Sequence, residues 1–193
     1  NTKIEQFFNN SPTAANYLRA IISSDQGNSN AHFQQSEESG ALLAGKLPGM
    51  TLTRGHVVLY PTTDEITDAH KVLMQAFERG QGLFAYCGHG SAPKITGVNL
   101  LTIGQVNEEP FDTPCFAFLS SCDMFCFDRS TSLMDALLAT TRGGIIGGVG
   151  ACRSVYLEYN QNIYLAVCDE YASAVPGTTY GQLFTQGRNK LVT

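Results

Sequence analysis

The 193-residue sequence predicts an α/β domain of three layers, a mostly parallel sheet flanked by helices on both faces. Two observations carry this. Short apolar runs alternate along the chain with amphipathic stretches, the order that parallel strands joined by right-handed helical crossovers require. Two of the runs, Phe84 to Cys87 and Cys115 to Ser121, are continuous rather than alternating, as strands buried on both faces are.

The elements follow in order. Ile4, Phe7 and Phe8 have helical spacing across residues 2–10, and Ser11-Pro12 ends the pattern. Tyr17–Ser23 reads as a strand that empties into the polar loop Ser24-Asp25-Gln26-Gly27-Asn28-Ser29-Asn30. His32 opens a helix to about Gly45, with Leu42 and Leu43 toward the core. His56–Tyr60 reads as a strand closed by Pro61, and Thr62 with Glu65 as a capping box for the next helix. That helix sets Ile66, Ala69, Leu73, Ala76 and Phe77 on one face and ends at Gly80, which suits a left-handed cap. Residues 91–114 read as a loop-rich crossing anchored by Leu100, Leu101 and Ile103. Past the second continuous run, a helix from about Thr131 carries Leu133, Ala136 and Leu137. Gly143–Gly150 reads as a buried strand, so rich in glycine that a helix or a substrate is expected to approach its backbone closely. Asn162–Tyr171 and Gly181–Leu191 complete the chain as helices. With no internal repeat or low-complexity segment, residues 1–193 form one domain.

Composition narrows the function. Hydrophobic residues make up 43% and charged residues 15%, as in a globular interior. The net charge of −5, from 12 basic and 17 acidic residues with no basic cluster, argues against a nucleic-acid partner. No apolar run approaches the roughly 18–20 residues of a membrane span. The start lacks a signal-peptide pattern and reads as the middle of a longer precursor. The six cysteines, at 87, 115, 122, 126, 152 and 168, form neither a dense disulfide framework nor paired CxxC motifs.

Chemistry gathers at the two continuous runs. One delivers His89, between Gly88 and Gly90, and the other delivers Cys122, so both residues stand beyond the carboxyl ends of strands. Neighbouring strands ending this way pair a nucleophile with a base: the imidazole takes the thiol proton and returns it to the leaving amine. The backbone amides of Gly90 and Cys122 are the natural donors to the tetrahedral oxyanion. Two other readings stand beside this one. Cys and His are often ordinary core residues. Cys87, His89, Cys122 and Cys126 also supply ligand types that zinc accepts, although Cys-x-His and Cys-x-x-x-Cys are not the usual structural spacings.

The stretches Tyr86-Cys87-Gly88-His89-Gly90-Ser91, Phe118-Leu119-Ser120-Ser121-Cys122-Asp123 and Gly143-Gly144-Ile145-Ile146 leading to Ser154-Val155-Tyr156 resemble the gingipain family of clan CD cysteine peptidases. Ser24-Asp25, His32 and Thr179-Tyr180-Gly181 extend the likeness over most of the chain. The resemblance implies a caspase/gingipain-like fold, a catalytic His89 and a nucleophilic Cys122 that forms a thioester with a polypeptide substrate, and no cofactor. It implies a helper acid near the polar loop, for which Asp25 is available, and a substrate wall at Arg153, Ser154 and Tyr156. Asp123, Phe127-Asp128 and Arg153-Ser154-Val155-Tyr156 are similar to the sortase branch of the type IX secretion system. Transpeptidation is therefore an alternative to hydrolysis, and a catalytically silent interaction module is another. Family likeness further implies a secreted or cell-surface location and contact with other parts of the same precursor, with sheet edges lying beyond both ends of the chain.

Overall fold

The computed structural model describes residues 5, 14–60, 62–63, 66–109, 111, 113–129 and 131–192. The chain runs α1 (Ala14–Tyr17), β1 (Arg19–Ser24), α2 (Ala31–Lys46), β2 (Thr51–Arg54), β3 (Thr62–Thr63), β4 (Ile66–Thr67), α3 (Asp68–Glu78) and β5 (Leu83–Cys87). It continues β6 (Gly90–Ser91), β7 (Lys94–Ile95), β8 (Leu101–Thr102), α4 (Ile103–Glu108), β9 (Cys115–Ser120), α5 (Leu133–Ala139), β10 (Ile145–Gly150), α6 (Leu157–Ala172) and α7 (Tyr180–Lys190). Among the described residues the main sheet has five strands, all parallel, in the order β10-β9-β5-β1-β2.

Every position of β5 and β9 is buried, which is why their sequences are apolar without alternation. Successive side chains still point to opposite faces. Phe84, Tyr86, Ala117 and Leu119 join one core with Leu73 and Phe77 of α3 and Leu133 and Leu137 of α5. Leu83, Ala85, Phe116 and Phe118 join the other with Leu43 of α2 and Tyr164 and Val167 of α6. Each fully buried Leu or Phe contributes about 1.5–3 kcal/mol, so the two cores hold the three layers together. The strand order reverses between β1 and β5, and a doubly wound sheet opens its crevice at such a reversal.

The structure corrects the reading of several segments. His56–Tyr60 is not a strand: Val57–Leu59 forms one 3-10 turn. Ser24 Oγ and Glu37 Oε1 hold the buried His56 ring at 2.9 and 2.8 Å, which draws the chain off the sheet. The strand beside β1 is instead the more polar Thr51–Arg54, acceptable at an edge where burial is partial. Thr62 is no helix cap, because it pairs with Thr67 in a two-residue antiparallel ribbon that also takes up Ile66. Glu65 lies outside the described residues, as does the stretch expected to be helical over residues 2–10, apart from Glu5. Gly80 does end α3 with a left-handed φ of 73°.

Residues 91–114 hold more structure than a crossing loop. A small antiparallel sheet, β6-β7-β8, leads into α4, whose start is closed by a capping box between Thr102 and Gln105. The glycine-rich strand β10 is a half-buried edge rather than a buried strand. Its close neighbour is a helix side chain: a Cβ on Gly148 would overlap Met134 of α5 and lie 2.8 Å from the Ala117 carbonyl oxygen.

Candidate active site

The β5–β9 ladder pairs Cys87 with Ser120, and Gly88 N–H continues it by donating to the Ser120 carbonyl at 3.2 Å. His89 and Cys122 thus each stand two residues past the same rung. Gly90 then lies directly on the turn after β9, since a Cβ there would overlap Ser121 Oγ and meet Met124 Cε at 2.7 Å. Only the missing side chain lets the segment beyond His89 rest on the segment that carries Cys122.

Main-chain bonds fix each residue. The His89 carbonyl accepts Tyr86 Oη–H at 2.7 Å and Thr96 N–H at 3.0 Å. Nearby, Asp25 donates its main-chain N–H to the Cys87 carbonyl at 3.2 Å, and its carboxylate accepts Gln26 N–H at 2.8 Å. The His89 ring is exposed and meets the buried His32 ring edge-on, with centroids 4.9 Å apart and planes at 85°. On the other side, Ser121 N–H closes a tight turn on the Leu119 carbonyl at 2.9 Å. Asp123 takes a left-handed φ of 56° and donates to the Arg153 carbonyl at 3.3 Å. Cys122 is lifted between these two bends, half-buried, with Val155 N–H donating to its sulfur at 3.4 Å.

The expected oxyanion donors are uncommitted. No acceptor among the described residues meets the Cys122 N–H. Because Thr96 N–H bonds to the His89 carbonyl, Gly90 and Ile95 form a non-hydrogen-bonded pair, and the Gly90 N–H turns away from β7.

Burial governs the remaining titrating groups. It raises the Asp25 carboxyl above its ordinary value of 3.8, against the lowering effect of the Gln26 N–H and of His89. It lowers His32 to about 4, with His89 adding to the effect, and pushes the Cys87 thiol up to about 12. Cys87 donates its S–H to Gln35 Oε1 at 2.9 Å, and Cys126 donates to Asp123 Oδ1 and to the Cys152 carbonyl, both at 3.3 Å. Among the described residues no three His, Cys, Asp or Glu side chains converge as metal ligands.

The residues expected at a substrate wall divide. Ser154 and Tyr156 line an open groove of about 590 Å³ with Val155, Tyr159, Asn160 and Ile163. Tyr156 and Tyr159 are 79% and 72% exposed. Arg153 turns away into a two-pronged ion pair with Asp128, at 3.0 and 2.6 Å. Two contacts have weak sequence signals: Val155 acts through its backbone, which any residue could supply, and His32 reads as the start of a helix and as part of the family likeness, with no role attached to its ring.

A parallel sheet with helices on both faces is the caspase- and gingipain-like architecture. Within that class, the chain belongs to peptidase family C25, a family of cysteine peptidases, whose model matches residues 2–193. Two solved structures share the fold over 99% of this chain. The Arg-specific cysteine proteinase gingipain R has a TM-score of 0.79 at 17% identity, and the complex of Porphyromonas gingivalis RgpB pro- and mature domains has 0.80 at 16%. The chain spans 46% and 47% of those chains. A third structure, described as a protease, matches 85% of the chain at 12% identity with a TM-score of 0.64 and is itself covered over 35%. No curated protein matches in sequence.

Proposed function

We propose that this chain cleaves peptide bonds, with Cys122 as nucleophile and His89 as general acid and base. The observation that carries the reading is the shared rung: β5 and β9 are adjacent and parallel, and each presents its reactive residue two positions beyond the Cys87–Ser120 pair. His89 takes the Cys122 proton as sulfur attacks the carbonyl carbon, and the N–H groups of Gly90 and Cys122 receive the oxyanion. The C–N bond then breaks, His89 protonates the departing amine, and a thioester remains on Cys122 until water hydrolyses it. Ser154, Val155 and Tyr156 form the wall along which the polypeptide lies.

Membership of family C25 supports a substrate outside the cell, and the RgpB complex of pro- and mature domains supports contact with another part of this protein's own precursor. A peptidyl reagent carrying a thiol-reactive group tests the assignment. Mass mapping that finds the adduct on Cys122, and its loss in Cys122→Ala, is the expected result. Adducts confined to the other cysteines overturn it.

A further inference from the structure

A chain of hydrogen bonds running in one direction ends behind the His89 ring. Asn28 Nδ2 lies 3.1 Å from His32 Nε2, and an amide nitrogen only donates, so Nε2 is the acceptor and the ring proton sits on Nδ1. That Nδ1–H faces Cys87 Sγ at 3.9 Å. Cys87 passes its own S–H to Gln35 Oε1 at 2.9 Å, Gln35 Nε2 donates to Gln161 Oε1 at 2.8 Å, and Gln161 Nε2 donates to Glu38 Oε2 at 2.7 Å. Every link points the same way, and the chain terminates on a carboxylate at the surface. Reversing one link would set two donors or two acceptors against each other.

Other features hold His32 in that form. Its side chain is buried, and it is the second residue of the 16-residue helix α2, whose positive end disfavours an added proton. Asn28 reaches Nε2 from three successive non-glycine residues with left-handed φ, 45°, 52° and 66° at Asn28, Ser29 and Asn30. Meanwhile the Asp25 carboxylate takes the Gln26 N–H at 2.8 Å. Among the described residues, the aromatic ring that meets the His89 ring is His32.

We propose that His32 is the positioning residue for His89: its ring, locked as the Nδ1–H tautomer by the Asn28-to-Glu38 chain, packs edge-on against the His89 imidazole and fixes its orientation toward Cys122. The inference rests on His89 being the general base.

Two measurements test it. Nitrogen-15 NMR of the folded protein at pH 6 is expected to show His32 uncharged with its proton on Nδ1, and a mixture of tautomers in Asn28→Ala. Rates of Cys122 alkylation by iodoacetamide and kcat on a peptide substrate are then compared for four variants. His32→Ala and His32→Gln are expected to lower kcat about 10- to 100-fold with little change in KM, as a misplaced catalytic group does. His32→Phe keeps an edge-on ring and is expected to restore kcat to within roughly fivefold. His89→Ala is the control. If it leaves alkylation at the wild-type rate, the assignment of His89 as base falls. If it slows alkylation while His32→Ala and His32→Gln do not, the positioning role alone falls. Rescue by Gln rather than Phe, or a protonated or Nε2–H His32, overturns it as well. Should His32→Ala fail to fold, His32→Phe and Asn28→Ala still decide the question.

Discussion

Asp25 is tied to the strand that delivers His89: its main-chain N–H donates to the Cys87 carbonyl at 3.2 Å, and its carboxylate accepts the Gln26 N–H at 2.8 Å. Burial raises this carboxyl above 3.8. A carboxyl raised in the folded state contributes stability that is fully present below its unfolded value of about 3.8 and lost as pH rises through the folded-state value. Asp25→Asn keeps an acceptor oxygen without the buried charge. It is expected to match or exceed wild-type stability at pH 7 and to flatten the stability profile above pH 4. Asp25→Ala leaves the Gln26 N–H unmet, at about 1–3 kcal/mol. Urea denaturation across pH 3–8 checks both, and a loss in Asp25→Asn as large as in Asp25→Ala rejects the account.

Gly88 sets how near Asp25 can come. A Cβ at this position would overlap Tyr86 Oη and lie 2.6 Å from Asp25 Cβ, so Gly88→Ala must displace the hydroxyl that holds the His89 carbonyl. Overpacking of this kind costs about 1–3 kcal/mol. Activity is expected to fall further than stability, because the displaced bond ends on the residue proposed as the base. Thermal melting alongside kcat/KM separates the two, and unchanged kcat in a destabilised Gly88→Ala protein refutes the link.

The fold is legible where burial and polarity agree. β5 and β9 are buried on both faces, so their sequences are apolar throughout, and the residues just past their ends stand out as soon as polarity returns. β2 escapes notice because an edge strand tolerates threonine and arginine, while the more apolar Val57–Leu59 turns away under the hold on His56. The site divides in the same manner. His89 and Cys122 are visible as strand ends flanked by small residues. The Val155 N–H on the Cys122 sulfur and the ring of His32 depend on contacts that span 33 residues or come from another helix, which local pattern cannot carry.

Cysteine reactivity should follow burial and charge. Cys87 and Cys168 are buried with thiols pushed up to about 12, whereas Cys152 is exposed and Cys122 half-buried beside the Val155 N–H. Brief iodoacetamide treatment of the native protein at pH 7.5 is expected to label Cys122 and Cys152, leaving 87, 115, 126 and 168 for modification after denaturation. Cys152→Ser is expected to retain activity. Native labelling of Cys87 ahead of Cys122 contradicts this order.

The ion pair of Arg153 with Asp128 ties the segment after Cys122 to the strip that leads into the groove wall at Ser154–Tyr156. Both side chains are nearly half exposed, so salt screens the pair, and backbone bonds from Asp123 to Arg153 and from Phe125 to Ala151 share its work. The guanidinium holds the Asp128 carboxyl below its ordinary value of 3.8. A depressed carboxyl contributes stability that is present above its unfolded value and lost as pH falls through the folded-state value, so a change of pH weakens the pair on the acid side and not at neutral pH. Asp128→Asn and Arg153→Ala are each expected to raise KM about two- to fivefold, with kcat nearly unchanged, the scale on which exposed ion pairs act. The double variant is expected to equal either single one, since the second change removes a partner already lost. Added salt at 1 M moves wild-type KM toward the variants and leaves theirs alone. A fall in kcat at constant KM instead gives Arg153 a part in the chemistry rather than in the shape of the wall.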